Sequence, residues 1–181
     1  MKTGAAEDLR SLKMALNGLV ERRCWSFVAG EGAGSAVKLD FGGKVARQRK
    51  INNANLSSDQ QNFEGEFQLL VRCVWRLDSK RGVVCSSADS NHRGGRMLSG
   101  LSGITDQTVR KIWVRFPAYD LDISFDNGLI LKVFCEIADP SDTDSNYIFY
   151  RRDDLWAVGP SGMVVSEKRG HVRPMDHERS T

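Results

Sequence analysis

Two aspartates and two aromatic residues lie close enough in the sequence to form a ligand site. Asp120 and Asp122 stand two positions apart in DLDISF, so a strand would place both side chains on one face. Tyr119 directly precedes them, and Trp113 lies in the preceding apolar segment. Paired carboxylates are typical of hydrolases, although aspartates on the polar face of a strand are ordinarily exposed to solvent. We therefore treat Trp113, Tyr119, Asp120 and Asp122 as a candidate ligand cleft and assign no catalytic residue.

The three histidines are poor candidates for acid–base catalysis. His92 lies in a Gly/Arg-rich segment, and His171 and His177 lie in the charged C-terminal segment. A general base needs fixed geometry, and no apolar residues frame these rings. The sequence thus favours a protein without enzymatic activity.

One acidic segment resembles the start of a calcium-binding loop. Asp142, Asp144 and Asn146 match its first ligand positions, but Tyr147 occupies the position that requires glycine, and Asp153 replaces the bidentate glutamate. A solvated loop is the better interpretation. The four cysteines contain no C-x-x-C pair, so we predict no metal site and no cofactor.

Cys73 and Cys135 each lie inside an apolar strand-like segment, LLVRCVW and LKVFCEI. An activated thiolate needs nearby positive charge and access to solvent, which such surroundings do not offer. Both cysteines are predicted to be structural thiols.

The charges are unevenly distributed along the chain, whose net charge is +3. Residues 72–115 carry nine Lys and Arg against three Asp and Glu, whereas residues 116–154 carry three against nine. The basic segment 44–50, KVARQRK, could contact nucleic acid, but the acidic second half would repel phosphate. The sequence argues against nucleic-acid binding and favours a protein partner selected by charge, and the role of segment 44–50 stays open.

The N-terminal residues lack the apolar core of a signal peptide, and no segment approaches the length of about 18 apolar residues that a membrane helix needs. We expect a cytoplasmic protein with reduced thiols and no membrane association.

Apolar spacing predicts few helices and many strands. Leu9, Leu12, Leu16 and Leu19 define one face of an amphipathic helix, and a second short helix is expected near 97–101. VKLDF alternates like a half-buried strand, with Gly42-Gly43 as its turn. The polar residues 44–65 predict a long, mobile surface loop.

Similar patterns recur about 85 positions apart. Leu16 and Leu101 are separated by 85 positions, Phe41 and Phe125 by 84, and Trp25 and Trp113 by 88. The near-constant shift favours a duplicated unit of one helix and an antiparallel meander, although amphipathic helices followed by hairpins share such residues by chance.

The predicted fold is α+β and mainly antiparallel β: two related helix-plus-meander halves packed as one domain with two short helices. The first half spans residues 1–93 and the second spans residues 94–167, followed by a disordered tail over 168–181. The predicted core comprises Leu12, Leu16, Trp25, Leu39, Phe41, Leu69, Val71, Trp75, Trp113, Leu121, Ile123, Phe125, Leu131, Val133 and Phe149.

The segments GEFQLLVRCVWRL, DLDISFDNGLILKVFCE, NYIFY and VGPSG carry a family resemblance. Together they resemble a group of small, uncharacterised bacterial cytoplasmic α+β proteins, some of which are similar to immunity proteins. The resemblance covers roughly residues 12–167 and implies no catalytic residue.

Two functions follow as expectations. The first is a non-enzymatic protein-binding module of unknown partner, of the kind represented by an immunity-type inhibitor. The alternative is a small-ligand-binding protein or hydrolase with a cleft between the two halves, at the four candidate residues. Exposed sheet edges could also pair two copies into a homodimer.

Overall fold

The computed structural model describes residues 3–137, 144–160 and 162–168. Within them the helices are α1 (Thr3–Asn17), α2 (Ser58–Asn62) and α3 (Arg96–Leu101), the last extended by a 3-10 turn over Ser102–Ile104. The strands are β1 (Cys24–Val28), β2 (Val37–Ala46), β3 (Phe63–Val71), β4 (Val74–Ser79), β5 (Gly82–Ser86), β6 (Val109–Arg115), β7 (Asp120–Phe125), β8 (Ile130–Phe134), β9 (Tyr147–Arg151), β10 (Asp154–Val158) and β11 (Val164–Lys168).

The strands form two antiparallel sheets, one of six strands in the order β1-β2-β3-β9-β10-β11 and one of five in the order β5-β4-β8-β7-β6. A single cluster of buried apolar residues joins both sheets with α1 and α3. The α+β class with mainly antiparallel sheets is therefore confirmed.

Thirteen of the fifteen predicted core residues are buried. Trp25 is only half-buried and Trp113 is 42% exposed, so both were wrongly placed in the core. Each tryptophan lies on a strand that alternates in burial, and the adjacent residues, not the tryptophan, face the interior.

The chain crosses between the sheets twice. β3 ends at Val71 in the six-stranded sheet, and β4 then pairs with β8 in the other sheet. β8 ends at Phe134, and β9 returns to pair with β3. Each sheet consequently contains strands from both sides of residue 93, and the division into sheets does not follow the predicted halves.

The predicted turn at Gly42-Gly43 is wrong. β2 continues through both glycines, and the pairing with β3 shifts between Phe41 and Lys44, which marks a β-bulge. Gly42 adopts φ 75°, a conformation that glycine accepts without a side-chain clash. The irregular part of the predicted loop 44–65 is therefore limited to residues 47–57.

The short helix α2 lies in this polar region and was not predicted. Ser57 caps it, since its hydroxyl accepts from the Gln60 N–H while the Gln60 side chain accepts from the Ser57 N–H. The Gln60 amide also donates to the Phe27 carbonyl oxygen at 2.8 Å and the Ser26 hydroxyl at 3.1 Å. Thus α2 covers part of the outer edge of β1.

Reciprocal backbone hydrogen bonds join the turns that precede β1 and β6. Glu21 and Asp106 both have positive φ, at 64° and 66°. The Glu21 N–H donates to the Val109 carbonyl at 2.8 Å, and the Asp106 N–H donates to the Cys24 carbonyl at 2.6 Å. The two donors, Glu21 and Asp106, are 85 positions apart in the sequence, and so are the two acceptors, Cys24 and Val109.

Several predicted features fall beyond the described residues. Lys168 ends β11, and residues 169–181 of the predicted tail, including His171 and His177, lie outside the described residues. Residues 139–143 of the calcium-like loop do as well. In the described part of the chain, every helix is too short or too polar to cross a membrane.

Candidate protein-binding surface

The outward face of the five-stranded sheet carries charged and aromatic side chains in ordered rows. Because alternate residues of a strand point to opposite faces, the buried Leu121 and Ile123 place the intervening Asp122 on the outside. The strand register then aligns one row across the sheet: Trp113, Asp122, Lys132 and Arg76. We define the outer-sheet surface as Val74, Arg76, Asp78, Lys111, Trp113, Arg115, Asp122, Lys132 and Phe134.

Trp113 is the exposed aromatic of this surface. Its neighbours Ile112 and Val114 are partly buried against the core, so the indole points outwards. The Lys111 ammonium lies 5.6 Å from the indole centroid, within the range of a cation–π contact. Among the described residues, Lys111 forms no ion pair.

Asp122 is a shielded carboxylate on the same surface. Its side chain is 7% exposed, and it accepts a hydrogen bond from the Arg115 guanidinium on β6. The strands pair Asp122 directly with Trp113 on one side and Lys132 on the other. These neighbours shield the Asp122 carboxylate and hold it in one position. Asp122 therefore anchors the Arg115 side chain.

On β4 and β8, at the other side of the outer-sheet surface, a cation, a carboxylate and an aromatic ring again lie together. Arg76 donates to Asp78 through two nitrogens, at 2.7 and 2.9 Å, and this hydrogen bonding raises the pKa of Arg76. The Arg76 guanidinium also lies 5.4 Å from the Phe134 centroid. The Lys132 ammonium approaches Asp78 to 3.9 Å.

Tyr119 and Asp120 serve other contacts. Tyr119 is 5% exposed, and its carbonyl oxygen accepts from the Tyr147 hydroxyl at 3.1 Å. Asp120 accepts from the Cys135 N–H at 2.7 Å. The structure thus places Trp113 and Asp122 side by side, whereas Tyr119 is packed inside and Asp120 binds the backbone.

A separate groove of about 650 Å³ lies at the end of β1, next to α3. Arg93 and Asn55 line it, and neither side chain donates a hydrogen bond to another described residue. Glu31 also lines the groove, and one of its carboxylate oxygens lies 2.7 Å from His92 Nδ1, with both side chains largely exposed. The sequence prediction did not include this groove.

Strand pairing brings segments of opposite charge together in the five-stranded sheet. Basic β6 pairs with acidic β7, so that Arg115 lies opposite Asp120 in the register. Antiparallel pairing of neighbouring segments therefore interleaves charges that are separated along the chain. Within the described ranges, His, Cys, Asp and Glu side chains form no group of three that could hold a metal ion.

The sequence prediction named Trp113 and Asp122 as part of a ligand cleft with Tyr119 and Asp120, and it did not include the cations and the ring of the outer-sheet surface. The missed residues are Arg76, Lys111, Arg115, Lys132 and Phe134. Alternation within VWRLDS, VRKIWVR and ILKVF was the available signal, because the residues between buried positions must face outwards.

No family model, curated protein or solved structure matches the chain. The resemblance to immunity-like bacterial proteins therefore stays a prediction.

Proposed function

We propose that this protein is a non-enzymatic binding module whose outer-sheet surface docks an acidic segment of a partner protein, as an immunity-type inhibitor would. The observation that carries the proposal is Trp113, a tryptophan 42% exposed in a row with Asp122, Lys132 and Arg76. Tryptophan and arginine dominate the energetics of many protein interfaces because they bury large areas.

The charge of the surface supports an acidic partner. Four cations, Arg76, Lys111, Arg115 and Lys132, accompany the carboxylates of Asp78 and Asp122, and Asp120 lies on the same face opposite Arg115. Asp78 and Asp122 are paired with arginine and Asp120 accepts from the Cys135 N–H, which leaves Lys111 without an ion-pair partner among the described residues. Complementary charge of this kind raises association rates and selects partners.

Association with a second copy is less favourable than an acidic partner. Pairing β6 with β6 of another molecule would place Arg110, Lys111 and Arg115 of both copies near one another. Like charges on an edge strand oppose such pairing. Light scattering therefore tests whether a homodimer forms through this edge.

The test uses photo-crosslinking in cells that naturally produce the protein. A photoreactive phenylalanine analogue replaces Trp113 in one variant and Met163, which is 58% exposed in the turn that precedes β11, in a second variant. The proposal expects one dominant acidic protein crosslinked from position 113 and absent from position 163. Equal crosslinking from both positions, or none from position 113, would contradict it.

A matched pair of variants measures the surface contribution. Lys111→Glu combined with Trp113→Ala should weaken capture of the crosslinked partner at least tenfold, because it removes the exposed ring and reverses the unpaired charge. Lys50→Glu combined with Met163→Ala changes one exposed lysine and one exposed apolar side chain elsewhere and should leave capture unchanged.

The alternative, a small-ligand-binding protein, is favoured by the groove that Arg93 and Asn55 line. The Arg93 guanidinium beside the Asn55 amide is suited to a small carboxylate, in a groove that the Glu31 carboxylate also lines. Thermal-shift screening of small mono- and dicarboxylates tests this function. A shift abolished by Arg93→Ala and retained in the Lys111→Glu/Trp113→Ala variant would replace the protein-binding proposal.

We also propose an internal duplication and a cytoplasmic location. The reciprocal hydrogen bonds at Glu21 and Asp106 and their shared positive φ support a repeat of 85 residues. Equivalent bulges support it as well, between Cys24 and Ser26 in β1 and between Val109 and Lys111 in β6. In this alignment Trp25 corresponds to Arg110 instead of Trp113. All four cysteines are free thiols, which is consistent with a reducing compartment.

A further inference from the structure

Two cysteines meet where the chain crosses between the sheets. Cys73 directly precedes β4, and Cys135 directly follows β8. β4 and β8 pair with Val74 opposite Phe134, so the next position of this antiparallel register places Cys73 opposite Cys135. The Cys73 side chain is near enough to raise the pKa of the Cys135 thiol.

This arrangement suits a disulfide. Residues directly opposite each other in an antiparallel pair have Cα atoms about 4.5–5.5 Å apart, within the range that a disulfide spans. Cys24 and Cys85 lie in different sheets and have no cysteine opposite them in their strand registers. The contact is thus specific to Cys73 and Cys135.

We propose that Cys73 and Cys135 are a modification site at which a peroxide closes a reversible disulfide between the two crossovers. Cys135 is the more accessible of the two, because it is half-buried whereas Cys73 is 8% exposed. Cys135 is therefore the sulfur that the oxidant reaches first.

The chemistry balances with hydrogen peroxide as the two-electron oxidant. The Cys135 thiolate attacks one peroxide oxygen, the O–O bond breaks, and a sulfenic acid and hydroxide form. The Cys73 sulfur then attacks the Cys135 sulfur and expels the second hydroxide. The two thiol protons convert both hydroxides to water, so two thiols and one peroxide give one disulfide and two waters.

The surroundings make this closure slow. The neighbouring Cys73 side chain, burial and the Asp120 carboxylate all raise the pKa of the Cys135 thiol, so little thiolate exists at neutral pH. The buried Tyr147 hydroxyl and Tyr119 lie in the same cluster. The disulfide is therefore expected to form under sustained oxidation and to form little during a brief exposure to peroxide.

Closure would tie the β3–β4 crossover to the β8–β9 crossover and enclose a loop of about 60 residues. A crosslink of that length removes several kcal/mol of unfolded-state entropy in chain models, equivalent to a rise in melting temperature of about 10 °C for a protein of this size.

The experiment oxidises the purified full-length protein with hydrogen peroxide and maps peptides without reduction. The expected result is a peptide pair joined through Cys73 and Cys135, a mass lower by two hydrogen atoms, and a melting temperature raised by about 10 °C and restored by dithiothreitol. Because the mapping uses the wild-type chain, it does not depend on any variant folding.

Two variants distinguish the pair from the other thiols. Cys135→Ser should abolish the linked peptide and the thermal shift, while Cys85→Ala should retain both. Linked peptides that join other cysteines, or overoxidation of Cys135 to sulfinic acid without any Cys73 crosslink, would overturn the proposal. These outcomes are independent of partner binding by the outer-sheet surface.

Discussion

Asp40 is a carboxylate almost removed from solvent, at 1% exposure on β2. One of its oxygens accepts from the Lys38 ammonium at 3.0 Å and from the Gly65 N–H at 2.9 Å. It therefore fixes β2 against β3 next to the bulge at Gly42. Because a buried donor left without an acceptor costs free energy, its contribution should be measurable.

Asp40→Ala should lower the free energy of unfolding by about 2 kcal/mol, because the Gly65 N–H loses its acceptor and Lys38 loses its counter-charge. Urea denaturation measures the change. Asp59→Ala is the matched control: Asp59 pairs with Lys44 but is 55% exposed, and the expected loss is below about 1 kcal/mol. Equal losses in both variants would contradict the assignment.

Cys85 should contribute to alkaline unfolding. Burial and the nearby Asp89 raise the pKa of its thiol from 9.0 to about 11. Between these values the unfolded chain has lost the proton and the native chain retains it, so the free energy of unfolding falls as pH rises. From about pH 9 to 11, Cys85→Ala should therefore lose stability less steeply than the wild type in urea titrations.

The pH curves of these two proteins should be parallel between pH 6 and 8, where the thiol is protonated in both native and unfolded states. A constant difference between the two curves in that range measures the effect of the cavity that the substitution leaves. Curves that also stay parallel above pH 9 would show that Cys85 does not titrate between the two states.

At the scale of elements, α3 packs against β5 through a glycine. A Cβ on Gly100 would overlap the Cys85 side chain and lie 3.3 Å from a methyl carbon of Val84. Gly100 is therefore required for the close approach of helix and strand, although alanine is the better helix former.

Gly100→Ala should destabilise the protein by about 2 kcal/mol, because α3 must move away from β5 or the Cys85 side chain must leave its position. Gly43→Ala is the comparison, since its added Cβ would meet only Glu66, at 3.9 Å. Thermal unfolding followed by circular dichroism compares the two. A Gly100→Ala variant as stable as Gly43→Ala would show that the packing adjusts freely.

The sequence predicted elements wherever apolar periodicity was strong. Leu12 and Leu16 identified α1, and alternation in DLDISF identified β7, since burial decides both patterns. α2 was missed because its stability comes from the Ser57 cap and the Gln60 contacts, which composition does not reveal. Gly42 looked like a turn because a β-bulge and a turn both use positive φ.

The candidate surface was only half predictable. Asp122 and Trp113 were found from their residue types, but their adjacency depends on the register of β6 with β7. Arg76 and Lys132 joined them only through the pairing of β4 with β8, which links distant segments. Long-range strand order is not encoded in local periodicity, so a single sequence could not assemble the row.

At the scale of the whole molecule, the two crossovers interlock the segments before and after residue 93. β3 of the first segment has β9 of the second as its neighbour, and β8 of the second has β4 of the first. Each segment alone would expose the edge of a central strand whose side chains Leu69 and Leu131 are fully buried in the intact protein. The hydrophobic core is thus shared and cannot be divided at residue 93.

Fragments 1–93 and 94–181, produced separately, should each lack a cooperative thermal transition in circular dichroism, because each is missing the strands that complete its sheet. Mixed in equal amounts, they should recover the transition, since the complete set of strands is again present. The full chain cleaved at an inserted protease site after residue 93 is the control and should keep its transition, because its contacts are already formed. A cooperative transition in either fragment alone would show that this fragment is a self-sufficient folding unit and that the pairing of strands from both sides of residue 93 is not required for stability.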